Sequence, residues 1–448
     1  MTNQFIQHIR SITQECVPTD VYHQARRCLI DYIAVTLSGA RVFSQKAVNY
    51  IQSVGYGSMS STVIGLNYKS DMQTAALING MNAHVIELDD GHRQGALHVG
   101  STVFSALLAV AEKENLSYQD ILYGAIVGYE VTVRLACAVQ PGNKLRGYHA
   151  TGTCGTVGAT MGIAAALGFN EEQMKSALSA AVTCAAGVLE MQEDNADYKP
   201  LNVGRAAMDA VAAAYLGKAR FVPPFDAIGG KRGFLKVMTD EPKIKYLTEF
   251  DLSSPLAITQ IYMKTYAACR HTHPAIEAAL TLRKKYDIHP SDITSIEVEA
   301  YQLAVAGHDH TDILGISSAK MSLPFSVAVA LCTGSAGMEA YNETNVTDKA
   351  ILSLTKKVTV SENEELSALV PQKRASILHL TLVNGTKLSY RVDYPKGEPE
   401  NPLTDEEIEE KFVALATTSG FTKERCMDII HTILQSSFEL TTLLDKLR

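Results

Sequence analysis

Residues 21–39 read VYHQARRCLIDYIAVTLSG. Val21, Ala25, Leu29, Ile33 and Leu37 return at every fourth position, the spacing of one helix face, and Gly39 stands where a C-terminal cap belongs. Outward from this stretch the same signature repeats. Ser117 with Asp120 opens a helix carrying Ile121, Ala125 and Ile126. Asn170 with Gln173 opens another, expected to run through residues 176–190, SALSAAVTCAAGVLE. Alanine and glycine dominate these segments. Small side chains let helices approach closely, which suits a tight bundle or a subunit interface. Regular strand alternation is hard to find before about residue 290.

The pattern then changes. Residues 295–300, SIEVEA, alternate apolar and polar side chains. Residues 376–383 and 386–392 are strand-like and flank Asn384-Gly385, a strong local hairpin signal. Pro395, Gly397, Pro399 and Pro402 break the chain, and Thr404 with Glu407 restarts a helix through a capping box. The expected fold class is mostly α: a large all-helical domain over 1–259, a smaller α+β lid domain over 260–400, and C-terminal helices over 401–448 that return to the helical domain.

With 46% hydrophobic and 20% charged residues, the 448-residue chain has an ordinary globular balance. Forty basic against 48 acidic residues leave a net charge of −8, so no nucleic-acid partner is expected. An anionic ligand would need a local cluster of cations. No two of the eight cysteines form a C-x-x-C pair, so no metal site and no disulfide framework are expected. The N-terminus shows no apolar core behind a basic start. Apolar stretches such as Leu323 to Cys332 fall short of the ~20 residues that span a bilayer. These features point to a reduced, cytoplasmic protein with no membrane partner.

Four clusters carry candidate chemistry. Residues 84–92, HVIELDDGH, followed by His98, place two carboxylates near imidazoles. An ionised Asp can fix a neighbouring His tautomer and suit it to act as a base. Solvated acids at a helix C-terminus are the plainer reading, and this cluster alone favours it. Its spacing matches no specific zinc pattern. Residues 146–153, RGYHATGT, begin a run with Gly152, Gly155 and Gly158 at three-residue intervals. That run is not a dinucleotide fingerprint; it reads as a helix with a glycine face and His149 at its start. A histidine there is held neutral and basic, or is simply a satisfied helix-start residue. Residues 197–205, DYKPLNVGR, place Lys199 between apolar helices, either paired with a carboxylate or solvated. Residues 264–274, KTYAACRHTHP, offer Lys264, Cys269, Arg270, His271 and His273. Arg270 suits a carboxylate, and Cys269 is a candidate nucleophile with no base pinned to it by the sequence. His271 and His273 would diverge on a helix and share a side in an extended loop. His308-Asp309-His310 reads as a surface loop. The inventory suits removal of a proton from carbon next to a carboxylate, with cations to anchor substrate and stabilise the charge that develops.

In this order the clusters resemble the MmgE/PrpD family, which includes 2-methylcitrate dehydratases, cis-aconitate decarboxylases and iminodisuccinate epimerase. The resemblance covers nearly the whole chain and rests on IDYIAVTLSGA (30–40), NAHVIELDDGH (82–92) with His98, GYHATGTCGTVGA (147–159), DYKPLNVGRAA (197–207) and the run from Lys264 to His273. It implies a cofactor-free homodimer with a helical domain and an inserted lid domain. By position it implies that His98 and His149 are active-site histidines, that Asp90 is an acid of the site, and that Lys199 and Lys264 are active-site lysines. The chain departs from the family at Gly91, where many relatives carry Thr. It departs again at Cys269, near a histidine of dehydratase and decarboxylase relatives, which leaves Arg270, His271 or His273 as lid-side acid or anchor. Phe325 falls where decarboxylase relatives present a tyrosine. The expected function is a lyase on a small di- or tricarboxylate, 2-methylcitrate-dehydratase-like. The alternatives are an epimerase, in which Lys199 works opposite Tyr148 or His149, and a cis-aconitate-type decarboxylase.

Overall fold

The computed structural model describes residues 1–192, 196–251 and 253–448. It divides into two compact units, Met1–Tyr262 with Thr404–Arg448, and Met263–Leu403.

The first unit is a helical assembly. Its helices of ten residues or more are α1 (Thr2–Ser11), α2 (Thr19–Val54), α3 (Met72–Val85), α4 (Gly100–Glu114), α5 (Tyr118–Val139), α6 (Ala150–Ala166), α7 (Glu171–Cys184) and α8 (Lys199–Lys218). After the second unit the chain returns through α11 (Asp405–Thr417) and α12 (Lys423–Leu434), the two helices between belonging to the second unit. A short antiparallel pair, β1 (Ser61–Val63) and β2 (Tyr68–Ser70), joins α2 to α3. Helix starts follow the sequence signals. Ser117 accepts the Asp120 amide, and Asn170 with Gln173 and Thr404 with Glu407 form capping boxes.

Three expectations change. Helix α2 continues past Gly39 to Val54. Gly39 is no cap: a Cβ there would overlap the Asn82 carbonyl oxygen of α3, so glycine serves close helix approach. Helix α7 ends at Cys184 rather than reaching residue 190, and a 3-10 turn follows at Leu189–Gln192. Helix α5 also differs from the picture of short apolar stretches. Its 22 residues are long and apolar enough to cross a membrane, yet nearly all lie buried against α4 and α6. Burial inside the unit explains its composition. The glycine run of α6 is indeed an interhelical face: a Cβ at Gly158 would overlap the Thr132 hydroxyl of α5.

The second unit holds a four-stranded sheet of order β4-β3-β5-β6, made of β3 (Ile293–Ala300), β4 (Val358–Glu362), β5 (Ser376–Leu382) and β6 (Lys387–Val392). Strands β3 and β4 are parallel; β3–β5 and β5–β6 are antiparallel. Ile296, Val298 and Ala300 are buried while Glu297 is exposed, as the alternation requires. Gly385 takes φ 83° in the turn between β5 and β6. Helix α9 (His273–Tyr286) packs on β5 and β6, and α10 (Leu323–Thr333) packs on α9.

Candidate active site

In the first unit, helix α3 begins on the Asp71 side chain, which accepts the Gln73 and Thr74 amides, and ends at Val85. Glu87 then adopts φ 60°, the left-handed region, and turns the chain away from the helix axis. The loop closes through the Gly91 amide, which donates to the Tyr262 carbonyl, and the His92 amide, which donates to the Leu97 carbonyl. A Cβ at Gly91 would overlap the Tyr262 hydroxyl, which explains glycine at this position. His92 accepts the Gly95 amide and serves the turn itself.

This loop folds its acids back on the imidazoles. His84 Nδ1 lies 2.9 Å from Asp89 Oδ2, and the Ser101 hydroxyl donates to the same oxygen. His98 Nδ1 is 2.7 Å from the Asp90 main-chain oxygen and 3.3 Å from Asp89 Oδ1. Both partners are acceptors, so Nδ1 of each ring carries a proton. The His84 and His98 rings lie 4.7 Å apart between centroids, and His84 and His149 lie 6.0 Å apart. His84 Nε2 also comes within 3.8 Å of Glu87 Oε1.

His149 is the N-cap of α6 and only 7% exposed. Burial holds its imidazole well below the ordinary histidine value, and His84, Lys199 and His98 push the same way. Its Nδ1 has no hydrogen-bond partner among the described residues. The His98 amide donates to Thr151 Oγ1, tying the two histidine segments together. Lys199, the first residue of α8, donates to Glu87 in a largely buried ion pair. Tyr148 is half-buried, with its main chain bonded to Asn143.

The structure thus brings His98, His149 and Lys199 together, and adds His84, Glu87 and Asp89. These three lie in the same sequence run, His84 and Glu87 three residues apart, but nothing local separates them from Asp90. Asp90 plays another part than an imidazole partner. Its carboxylate accepts the Val99 and Gly100 amides at 3.2 and 2.8 Å and the Tyr129 hydroxyl at 2.6 Å, so it pins the start of α4. Burial pushes this carboxyl up to about 7. Its main-chain oxygen meets His98 Nδ1.

The residues expected from the lid run lie in the second unit. Lys264 is buried. Arg270 donates to Glu398 Oε1 from Nη2 at 2.6 Å and from Nε at 3.2 Å, and its Nη1 lies 2.8 Å from His273 Nδ1. His273 Nε2 meets the Ala268 carbonyl. His271 diverges from it and meets the Tyr301 hydroxyl at 2.6 Å. His308 is not part of a free surface loop: it is half-buried, its Nδ1 meets the Met321 carbonyl at 2.8 Å, and its Nε2 lies 3.8 Å from Cys269 Sγ. Neighbouring His310 bonds the Ser318 carbonyl. Phe325 is fully buried in α10 beside Tyr341.

Comparison with known families and proteins adds to this geometry. The MmgE/PrpD N-terminal domain model matches residues 3–247, and the MmgE/PrpD C-terminal domain model matches residues 266–435. A cis-aconitate decarboxylase of Aspergillus terreus is 26% identical over 93% of this chain and 89% of its own length. The Homo sapiens cis-aconitate decarboxylase is 24% identical over 99% of this chain and 94% of its own. Two family models in the right order cover most of the sequence, and the chain belongs to the MmgE/PrpD family.

Proposed function

We propose that the protein is a lyase that moves a proton at the carbon next to a carboxylate of a small di- or tricarboxylate. The observation that carries this reading is the meeting of three imidazoles, His84, His98 and His149, with Asp89 and the Lys199–Glu87 pair beside them. A neutral, buried imidazole at His149 accepts a proton without first having to lose one. His98 is fixed through Nδ1 and presents Nε2 for the complementary transfer. Lys199 supplies positive charge for an enediolate-like intermediate, where a low-dielectric setting strengthens it.

The names of the relatives favour decarboxylation of a cis-aconitate-like acid. In that case the bond to a carboxylate breaks, carbon dioxide leaves, and the electron pair ends on a carbon that takes a proton from an imidazolium. Phe325 stands where decarboxylase relatives present a tyrosine, which keeps dehydration of a 2-methylcitrate-like hydroxy acid as the second reading. There a histidine takes the α-proton, the C–H pair becomes the double bond, and the hydroxyl leaves as water after receiving a proton. We further propose a homodimer, supported by the apolar run 221–225, in which Val222 and Phe225 are 95% and 89% exposed; light scattering tests it.

The deciding experiment offers a panel of di- and tricarboxylates in deuterated water. Released carbon dioxide marks decarboxylation, an unsaturated product without it marks dehydration, and a deuterated substrate isomer marks an epimerase. His149→Ala is the control, and undiminished turnover by that variant overturns the reading.

A further inference from the structure

We propose that Cys269, His271 and His308, all of the second unit, form a binding site for one divalent transition metal of the Zn²⁺ type. One ligand atom from each of the three side chains lies within 4.8 Å of the others. Sγ of Cys269 lies 3.8 Å from Nε2 of His308. Tetrahedral zinc with Zn–S of about 2.3 Å and Zn–N of about 2.0–2.1 Å needs a sulfur–nitrogen separation of about 3.5 Å. Small side-chain rotations therefore close the site.

The surroundings are built as a metal's outer shell is built. The Met321 carbonyl takes the Nδ1 proton of His308 and fixes the tautomer whose Nε2 lone pair faces the thiol. The buried Tyr301 hydroxyl meets Nδ1 of His271 at 2.6 Å and orients that ring. The backbone is held as well. The Cys269 amide donates to the Lys320 carbonyl, and the His308 carbonyl accepts the Leu323 amide at the start of α10. The nearest cation in sequence, Arg270, is directed to Glu398 and neutralised there.

Chemistry selects the class of ion. A thiolate with two imidazoles suits borderline-soft metals such as Zn²⁺ or Co²⁺ and disfavours Mg²⁺ and Ca²⁺, which want oxygen. On binding, the sulfur–metal bond replaces the S–H bond and the thiol proton passes to solvent, while both imidazoles enter neutral. Three protein ligands leave a fourth position for water or a carboxylate oxygen. All three side chains are half-buried, so solvent reaches the site.

The test uses the full chain, reduced and stripped with a chelator, titrated with Co²⁺ alone. One equivalent should bind, with tetrahedral d–d bands and a near-ultraviolet thiolate-to-cobalt charge-transfer band, and Zn²⁺ should displace it. Cys269→Ser, close in shape, should abolish the charge-transfer band. His308→Ala should weaken binding at least tenfold, and circular dichroism checks that each variant is folded. The charge-transfer band separates this site from the sulfur-free group of His84, Asp89 and His98. Absence of the band in the unmodified chain, or its survival in Cys269→Ser, overturns the proposal.

Discussion

The imidazole Nδ1 of His98 lies 2.7 Å from the main-chain oxygen of Asp90, whose carboxylate in turn holds the amides that begin α4. One residue thus fixes a histidine tautomer with its backbone and a helix start with its side chain. A carbonyl oxygen cannot donate, so this contact puts a proton on Nδ1 of His98 and, in the neutral ring, makes Nε2 the basic nitrogen. Replacing His98 by Gln removes the transferable proton site and is expected to lower kcat by roughly 10²–10⁴-fold, with little change in thermal stability. Steady-state assay of the carboxylate that the unmodified protein consumes checks this.

Lys199 and Glu87 form an ion pair with little exposure on either side chain. Lys199→Met leaves the carboxylate of Glu87 without its cation, and the expected cost is about 3 kcal/mol in urea unfolding. The double variant Lys199→Met, Glu87→Gln should recover most of that stability while remaining inactive. Failure of the double variant to recover would place the loss elsewhere than in the pair.

Acid sensitivity should come from two buried histidines. Burial, then Arg134, lowers His8 to about 3, and its ring stacks on Phe250 at 3.2 Å. Burial, then His84, Lys199 and His98, lowers His149. The unfolded chain binds protons on both below about pH 6.5, and the folded chain does not. Stability is therefore full above that pH and lost as pH falls. His8→Phe keeps the stacked ring and removes one titration. At pH 5 it should unfold at higher urea than the parent, by at most about 2 kcal/mol.

Asp90 should act in the opposite direction. Its folded carboxyl is pushed up to about 7 by burial, against an ordinary value of 3.8. The folded state holds a proton that the unfolded state has released, so this contribution declines as pH rises from 3.8 to about 7. Asp90→Asn keeps an acceptor for the Val99 and Gly100 amides. Its stability relative to the parent should rise across that window by at most about 4 kcal/mol. A flat difference between pH 4 and 8 would count against a protonated Asp90.

Gly39→Ala offers a packing test. In an exposed helix interior this change stabilises by about 1 kcal/mol. At this crossing the new Cβ meets the Asn82 carbonyl, backbone that cannot rotate away, so a loss of roughly 2–3 kcal/mol is expected in thermal or urea unfolding.

By itself the sequence determined the fold class, the helix starts at Ser117, Asn170 and Thr404, the hairpin at Asn384-Gly385, and the family, through the order of its clusters. Those signals act through caps, turns and side-chain period, which depend on neighbours a few residues away. Tertiary structure alone decided that Gly39 is a helix crossing rather than a cap, that α7 stops at Cys184, and that Asp89 rather than the carboxylate of Asp90 meets the imidazoles. It also carried His308 back to Cys269, 39 positions away. Such contacts depend on how whole elements pack and on left-handed backbone such as that at Glu87, and no local pattern encodes either one.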